Sequence, residues 1–399
     1  MERKSIGLDA VLLAIYFALA PMHQTLVLPN GSTVVKYLAF AVMIACVLWG
    51  YIERRRFLVI WDLIWPVALM LGWFALSIVW TDSRSTTASS LVSVGSYCAL
   101  LLIIGSRRWN DREKSLFLVA MVASCVFYAI RLIGSAATTR RATLIFAMRG
   151  GEFEADQNTV ACNLGIGALV AFAIFLHRRG GGLRWLALVC VPLILMGMIS
   201  TGSRGGVVAF LAGAAYLYFS EAGRNPRLKS SFFILPCGIL IVLWALFESK
   251  LIGNDVIRAR FLHIGEKGFN GRLEIWWQYL ETLLHRPVGF LSGYGLGCDS
   301  SAHAAYMGRT WLRAAHNDYL SLLCQVGVPG LLLTGALVRH IWVRSRKMRN
   351  FAGCACVVLA LVASMEINFM KTYGWWNAML LAYIGLEHGA KEQRGALSP

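Results

Sequence analysis

The sequence predicts an all-α, polytopic integral membrane protein, and three observations carry that prediction. Hydrophobic residues make up 57% of the 399-residue chain and charged residues only 15%, whereas a soluble domain carries about a quarter charged residues. The apolar residues fall in blocks that repeatedly reach the ~20 residues a helix needs to cross a bilayer. Basic residues cluster in every second short loop, the pattern that fixes orientation in a membrane.

About twelve spans follow, near residues 8–28, 33–52, 58–80, 88–105, 115–134, 159–177, 184–200, 205–220, 231–248, 318–338, 351–369 and 372–388. Most linkers are short. Two are long, at 135–158 and 249–317. The chain therefore divides into residues 1–248 with nine spans and the smaller loop, a large loop at 249–317, and residues 318–399 with three spans and a short tail. The apolar run after Arg3 and Lys4 imitates a signal peptide, and Ala18-Leu19-Ala20 resembles a cleavage site. Pro21 directly after it disfavours cleavage, so the expectation is an uncleaved first span.

With the N-terminus inside, one side receives 22 of the 38 basic residues in short loops, among them Arg107, Arg344 and Arg349. That side is cytoplasmic, and both long loops face outward. The net charge of +17 is then mostly a topology signal. A nucleic-acid partner would need the basic residues on one soluble module, which the sequence lacks. Nine of the ten cysteines lie within spans and only Cys298 in the large loop, so no outer-face disulfide is expected.

Ionisable groups near membrane depth are functional candidates because burying them is costly. Four outward groupings qualify. In Ser200-Thr201-Gly202-Ser203-Arg204-Gly205-Gly206, Arg204 opens a helix at the membrane boundary, where backbone N–H groups favour an anion. Asn270-Gly271-Arg272 precedes an amphipathic segment with Leu273, Trp276, Trp277, Leu280, Leu283 and Leu284 at helical spacing, suited to the outer membrane surface. Arg272 opposes its helix dipole, which suggests that it binds an anion. Gly289, Gly293, Gly295 and Gly297 form a backbone-rich stretch apt for sugar or phosphate contact. Last, His316-Asn317-Asp318-Tyr319 places an imidazole beside the tenth span, with Arg309 and Arg313 on one face with it if the segment is helical. Gly327-Val328-Pro329-Gly330 interrupts that span and needs protein cover. Glu152, Glu154 and Asp156 alternate in the smaller loop and could hold a hard cation; Asp156 and Asn158 suit orienting arginines or contacting sugar hydroxyls.

His316-Asn317, nine residues, Gly327, two residues and Gly330 resembles the signature H-[N/S/Q]-x9-G-x-x-G of the O-antigen ligase family. The Ser203–Gly206 turn, the Gly271-Arg272-x-x-x-Trp276 pattern and Gly293-Tyr294-Gly295-Leu296-Gly297 are similar to that family's other motifs. The resemblance covers the second half of the chain; residues 1–150 match in hydropathy alone. It implies a GT-C-like glycosyltransferase of lipopolysaccharide biosynthesis in a Gram-negative inner membrane, with both termini cytoplasmic and the active site periplasmic. Such enzymes move O-antigen polysaccharide from undecaprenyl pyrophosphate to a hydroxyl of lipid A-core, with inversion and without a cofactor or required metal. Mapped onto this chain, His316 would be the base that deprotonates the acceptor, and Arg204 and Arg272 would stabilise the leaving pyrophosphate. Arg313, Arg309, Asn317, Tyr319, Ser203, Asp156 and Asn158 complete the expected substrate contacts. The same residues leave open an O-antigen polymerase, a protein O-oligosaccharyltransferase, or, in a different class, a lipid or sugar transporter. Arg140, Arg141 and Arg149 in the smaller loop keep the polymerase in view.

Overall fold

A computed structural model describes residues 6–29, 31–52, 60–138, 156–177, 181–222, 271–286, 288–310 and 312–385. They form fourteen α-helices: α1 (Leu8–Leu19), α2 (Val34–Ile52), α3 (Trp61–Leu76), α4 (Arg84–Ser106), α5 (Asp111–Thr138), α6 (Gln157–His177), α7 (Gly182–Ser200), α8 (Arg204–Ala222), α9 (Arg272–His285), α10 (Gly289–Ser292), α11 (Asp299–Tyr306), α12 (Asp318–Lys347), α13 (Phe351–Ala363) and α14 (Tyr373–Ile384). Among the described residues the only extended pairing is an isolated bridge between Val27 and Thr33. Eight helical segments are long and apolar enough to cross a membrane, consistent with a polytopic membrane protein. Expected span nine, most of the smaller loop, residues 249–270 and the tail lie outside the described residues.

The helices alternate in direction, as short connections require. At one end, Asp9 of α1 pairs with Arg107 after α4, which also binds Glu113 of α5 at 2.7 Å. Asp62 of α3 meets Arg344 of α12 at 3.3 Å at that same kind of end, first turn against last turn. At the other end, Trp80, four residues past α3, donates its indole N–H to the Ser292 carbonyl at 2.9 Å, and the starts of α6 and α8 meet. α6 and α14 are buried on nearly every side, which marks them as core helices. α2, α3 and α7 expose large apolar side chains such as Ile44, Trp65 and Val189, the surface a bilayer would cover.

Three expected spans differ in outline. α1 gives way at Ala20 to a 3-10 turn, Ala20–Thr25, because Pro21 supplies no N–H for the next α-helical bond. Expected spans eleven and twelve shrink to α13 and α14, with 13 and 12 residues. At 1.5 Å per residue they are about 20 and 18 Å long, short of the ~30 Å hydrocarbon thickness. Gly374 packs against Asn163, the seventh residue of α6, so α14 begins about 9 Å inside the start of α6. The connection 364–372 is thus the floor of a depression at this end of the bundle.

The largest departure is in α12. Gly327 sits inside it at φ 68° and ψ −174°, far from helical values. A straight 30-residue helix would separate Asp318 from Lys347 by about 44 Å. Yet the Asp318 N–H donates to the Ser364 carbonyl at 2.8 Å, and α13 reaches Ser364 from the α12 end in only about 20 Å after a tight turn. The helix must therefore bend sharply at Gly327, and the bend brings its first residues down to the recessed floor. The break exposes three carbonyls, and each finds a donor. Tyr294 N–H binds Cys324 O at 2.8 Å, Gly295 N–H binds Gln325 O at 2.8 Å, and the Trp73 indole binds Val326 O at 2.8 Å. The expected protein cover over the break is this α10 and 293–295 segment.

The stretch of glycines 289–297 is accordingly a packing device. A Cβ at Gly293 would strike the Gln325 backbone, and one at Gly295 would strike Thr81. Gly327 is as demanding as these, since its Cβ would collide with the Leu291 carbonyl as well as oppose a left-handed φ. Gly327→Ala is expected to cost about 1–3 kcal/mol and to lower the thermal midpoint in detergent by several degrees. Gly335→Ala, in the same helix with nothing within 4 Å of its Cβ, should be neutral or stabilising by up to ~1 kcal/mol. Equal effects of the two would contradict this account of the break.

Candidate active site

Four helices begin beside the depression, and their starts are joined by a chain of contacts. α6 is N-capped by Asp156, whose Oδ2 accepts from Thr159 N at 3.2 Å and Thr159 Oγ1 at 2.9 Å. Asn158 donates to Asp156 Oδ1 from its backbone and its side chain, both at 3.2 Å, and its Oδ1 accepts from Ser203 Oγ at 2.8 Å. Ser203 in turn caps α8, accepting from Gly206 N at 3.1 Å. Each is the polar residue type that satisfies a helix's first N–H groups. With α9 and α12, four helix starts direct their partial positive charge toward this region, which favours an anion.

Arg204 is the first residue of α8. It is half-buried and makes no hydrogen bond or ion pair with a described residue. Its neighbour Gly205 abuts the Glu366 carboxylate, where a Cβ would lie 2.6 Å from Oε2. Glu366 stands on the floor and pairs with Arg272 Nη1 at 3.1 Å. The three glycines of this turn are accounted for by the chain itself. Gly202 adopts φ 70°, Gly205 makes room for Glu366, and Gly206 packs on Ala161.

α9 opens with Arg272 after Gly271, which is left-handed at φ 72° and carries the capping position expected of Asn270; Asn270 itself lies outside the described residues. The anion expected beside Arg272 is, in this structure, Glu366. The expected single apolar stripe of α9 divides in two. Leu283, with Ile275 and Tyr279, packs against Ala315, Leu320 and Cys324, and Trp276 and Leu280 join that cluster. Leu273, Trp277 and Leu284 remain 57–63% exposed, a face suited to a membrane surface.

His316 lies between α9 and the floor. The Trp276 indole donates to Ala315 O at 3.0 Å and the Tyr279 hydroxyl to Arg313 O at 2.6 Å. On the other side, Asn317 caps α12 by accepting from Leu320 N at 3.0 Å, and Asp318 Oδ2 accepts from Met370 N at 2.7 Å. These clamps hold His316 at φ 50°, a left-handed conformation uncommon for a non-glycine residue. Such outliers cluster at functional sites. The imidazole is exposed and bonds to no described residue, leaving its ring nitrogens for a ligand. Its pKa is lowered, first by the water that surrounding protein displaces, then by the Arg272 charge and, less, by Arg313; Asp156 opposes them. The electrostatics thus place Arg272, Arg313, Asp156 and His316 in one neighbourhood.

Residues 309, 310 and 312–317 are not helical, so the expected shared helical face of Arg309, Arg313 and His316 does not exist. The clamps on Ala315, Arg313 and Asp318 consume the backbone groups that a helix would pair internally. Arg313 still acts on His316. Arg309 acts instead on His303, whose pKa is lowered by burial, then by the charges of Arg309 and Arg313. His303 stacks on Tyr279 with ring centroids 4.4 Å apart and shares a 3.2 Å contact with Thr282. The Tyr319 hydroxyl donates to Leu361 O at 2.7 Å, so it serves packing. Asp156 is committed to helix capping, while Glu152 and Glu154 lie outside the described residues.

Sequence reasoning missed Glu366, which it placed within an expected span. A carboxylate at membrane depth was itself the signal. It also missed Asp299, which is buried. Asp299 accepts from Ser321 Oγ at 2.5 Å and Gln325 Nε2 at 3.0 Å, and pairs with Lys371 at 3.5 Å. That network ties α11, α12 and the floor together beneath the loop.

Among the described residues, one end of the helical bundle gathers helix starts, Arg272 and His316 beside Glu366, an arrangement that favours an anion. Residues 189–335 match the family model for O-antigen ligase, which supports a relationship to that family. The matched segment includes Arg204, Arg272, Arg313, His316, Gly327 and Gly330 and leaves out Asp156 and Glu366. No curated protein matches the chain.

Proposed function

We propose that this chain is an inverting, metal-independent glycosyltransferase that moves O-antigen polysaccharide from undecaprenyl pyrophosphate to a sugar hydroxyl of lipid A-core. In this reading it is a GT-C-like enzyme with about twelve spans in a bacterial inner membrane. Both termini are cytoplasmic, and the loops at 135–158 and 249–317 and the depression face the periplasm. The observation that supports it is the chain of contacts from Gly205, beside Arg204 at the start of α8, through Glu366 to Arg272, whose charge acts on His316.

The acceptor oxygen attacks the anomeric carbon as the bond to pyrophosphate oxygen breaks, and the electron pair leaves on the pyrophosphate. Arg204 and Arg272 bind that growing charge; a guanidinium has five N–H donors, so pairing through Nη1 with Glu366 leaves donors for phosphate oxygens. His316 accepts the acceptor's proton. Its lowered pKa keeps it neutral, as a base must be. Asp156, Asn158 and Ser203 act by fixing the starts of α6 and α8. Arg313 tunes His316, and Asn317 caps its helix.

Purified protein in nanodiscs would be given a carrier-linked glycan with either lipid A-core or a second carrier-linked glycan. Extension of lipid A-core is expected, and extension of only the second would assign a polymerase. The transfer rate should be unchanged by excess chelator; a loss restored by added divalent metal would overturn metal independence.

A further inference from the structure

The segment that carries His316 brings further positive charge to the side of the imidazole away from Arg272. The Trp276 indole holds Ala315 O at 3.0 Å and the Tyr279 hydroxyl holds Arg313 O at 2.6 Å, so the chain runs back along α9 from Arg313 toward the helix start. Arg272 stands at that start, and Tyr279 is seven residues, about 10 Å, further along. His316 therefore comes between Arg272 and Arg313, and the charges of both act on its ring. Arg309 reaches the same region from α11. Gly308 at φ 61° turns the chain out of that helix, and the Arg309 N–H closes on Ala304 O at 2.8 Å. This sets Arg309 near His303, which stacks on Tyr279 and is acted on by both Arg309 and Arg313. Two guanidinium groups thus share one neighbourhood. Arg313 is half-buried, and its side chain makes no hydrogen bond or ion pair with a described residue. Other arginines of this end are matched: Arg272 pairs with Glu366 at 3.1 Å and Arg286 with Asp82 at 3.8 Å. The carboxylate that acts on His303, Asp299, is buried and committed to Ser321, Gln325 and Lys371. Like charges held together repel, and an anion shared between them relieves that cost.

We propose that Arg309 and Arg313 bind an anionic substituent, phosphoryl or carboxylate, on the sugars of the acceptor. The inference rests on the glycosyltransferase reading and names the acceptors that its site selects. Inverting transfer puts the attacking and leaving oxygens on opposite faces of the donor sugar. With the leaving pyrophosphate at Arg272 and the attacking hydroxyl at His316, the body of the acceptor extends from His316 toward Arg313. An anion on the reacting sugar or its neighbour then meets the two guanidinium forks, whose planar donors match phosphoryl and carboxylate oxygens. Arg272 and the Arg309–Arg313 pair thus divide the two substrates: one holds the leaving group, the other orients the attacking sugar.

The test uses the full chain in nanodiscs and one core-oligosaccharide acceptor in three forms: intact, without its sugar phosphoryl groups, and with its sugar carboxylates reduced to alcohols. On the intact form, Arg309→Gln should raise KM for the acceptor about tenfold, with kcat within about twofold and KM for the donor unchanged. Wild type should show the same rise on the form that lacks the bound group, which identifies that group as phosphoryl or carboxylate. On that form Arg309→Gln should add nothing further, since the two changes remove one interaction. Arg309→Lys should recover part of the affinity. A merely structural role for Arg309 would raise KM equally on all three forms. That result, a wild type indifferent to both groups, or a rise in donor KM would overturn the subsite. Acceptor binding measured without donor should follow the same pattern. That pattern in a protein that transfers no glycan would overturn the enzymatic reading and leave the subsite standing.

Discussion

His316→Ala is expected to lower transfer by about 10²–10⁴-fold, the usual contribution of a positioned general base. The protein should remain folded. The imidazole is exposed and bonds to no described residue, and His316 is held by backbone contacts of its neighbours rather than by its own ring. Alanine at φ 50° adds modest strain, so His316→Asn, a residue that tolerates left-handed backbone, is the better-matched control. Both variants should lose transfer while staying folded and keeping donor binding, with His316→Asn keeping the wild-type melting temperature. A folded variant with near-normal turnover would remove His316 from the chemistry.

Arg272→Ala is the second large effect. Preorganised donors aimed at developing charge are typically worth about 10²–10³ in kcat. Arg272 has two further roles. It holds Glu366 at 3.1 Å and contributes to lowering the His316 pKa. Its loss should therefore weaken binding of inorganic pyrophosphate, reduce kcat, and let the His316 pKa rise toward its ordinary value. Arg272→Lys should recover charge and little activity, because an ammonium cannot reproduce the planar fork. Arg313→Ala removes a charge that lowers the His316 pKa and should shift the pH dependence upward. Equal pyrophosphate binding by wild type and Arg272→Ala would contradict the assignment.

The architecture was legible where it depends on apolar length and charge distribution. Eight helical segments of spanning length lie at expected positions because hydropathy alone decides them. The motif residues were legible too, but their physical roles were only partly so. The glycines at 202–206 and 289–297 looked like room for a ligand and proved to be room for the chain's own Glu366, Ala161, Gln325 and Thr81. Sequence spacing cannot distinguish the two, since both ask for a missing Cβ. The bend at Gly327 and the helical face expected for Arg309, Arg313 and His316 share one lesson. Long-range hydrogen bonds from Tyr279, Trp276 and Ser364 decide the backbone there, and local periodicity does not encode them. Glu366 was hidden by its apolar neighbours, although a lone carboxylate in such a run is costly without a partner such as Arg272.

The pH dependence of kcat/KM tests the central claim most directly. For the free enzyme it reports the ionisation of an essential base. Neutral His316 is active and its protonated form is not, so the rate should fall as pH decreases through its pKa. Because water displaced by the surrounding protein, Arg272 and Arg313 lower that pKa, the acid limb should lie below the ordinary value of about 6.5. It should move upward in Arg313→Ala and be absent from the residual activity of His316→Asn. An acid limb that persists unchanged in His316→Asn would contradict the account.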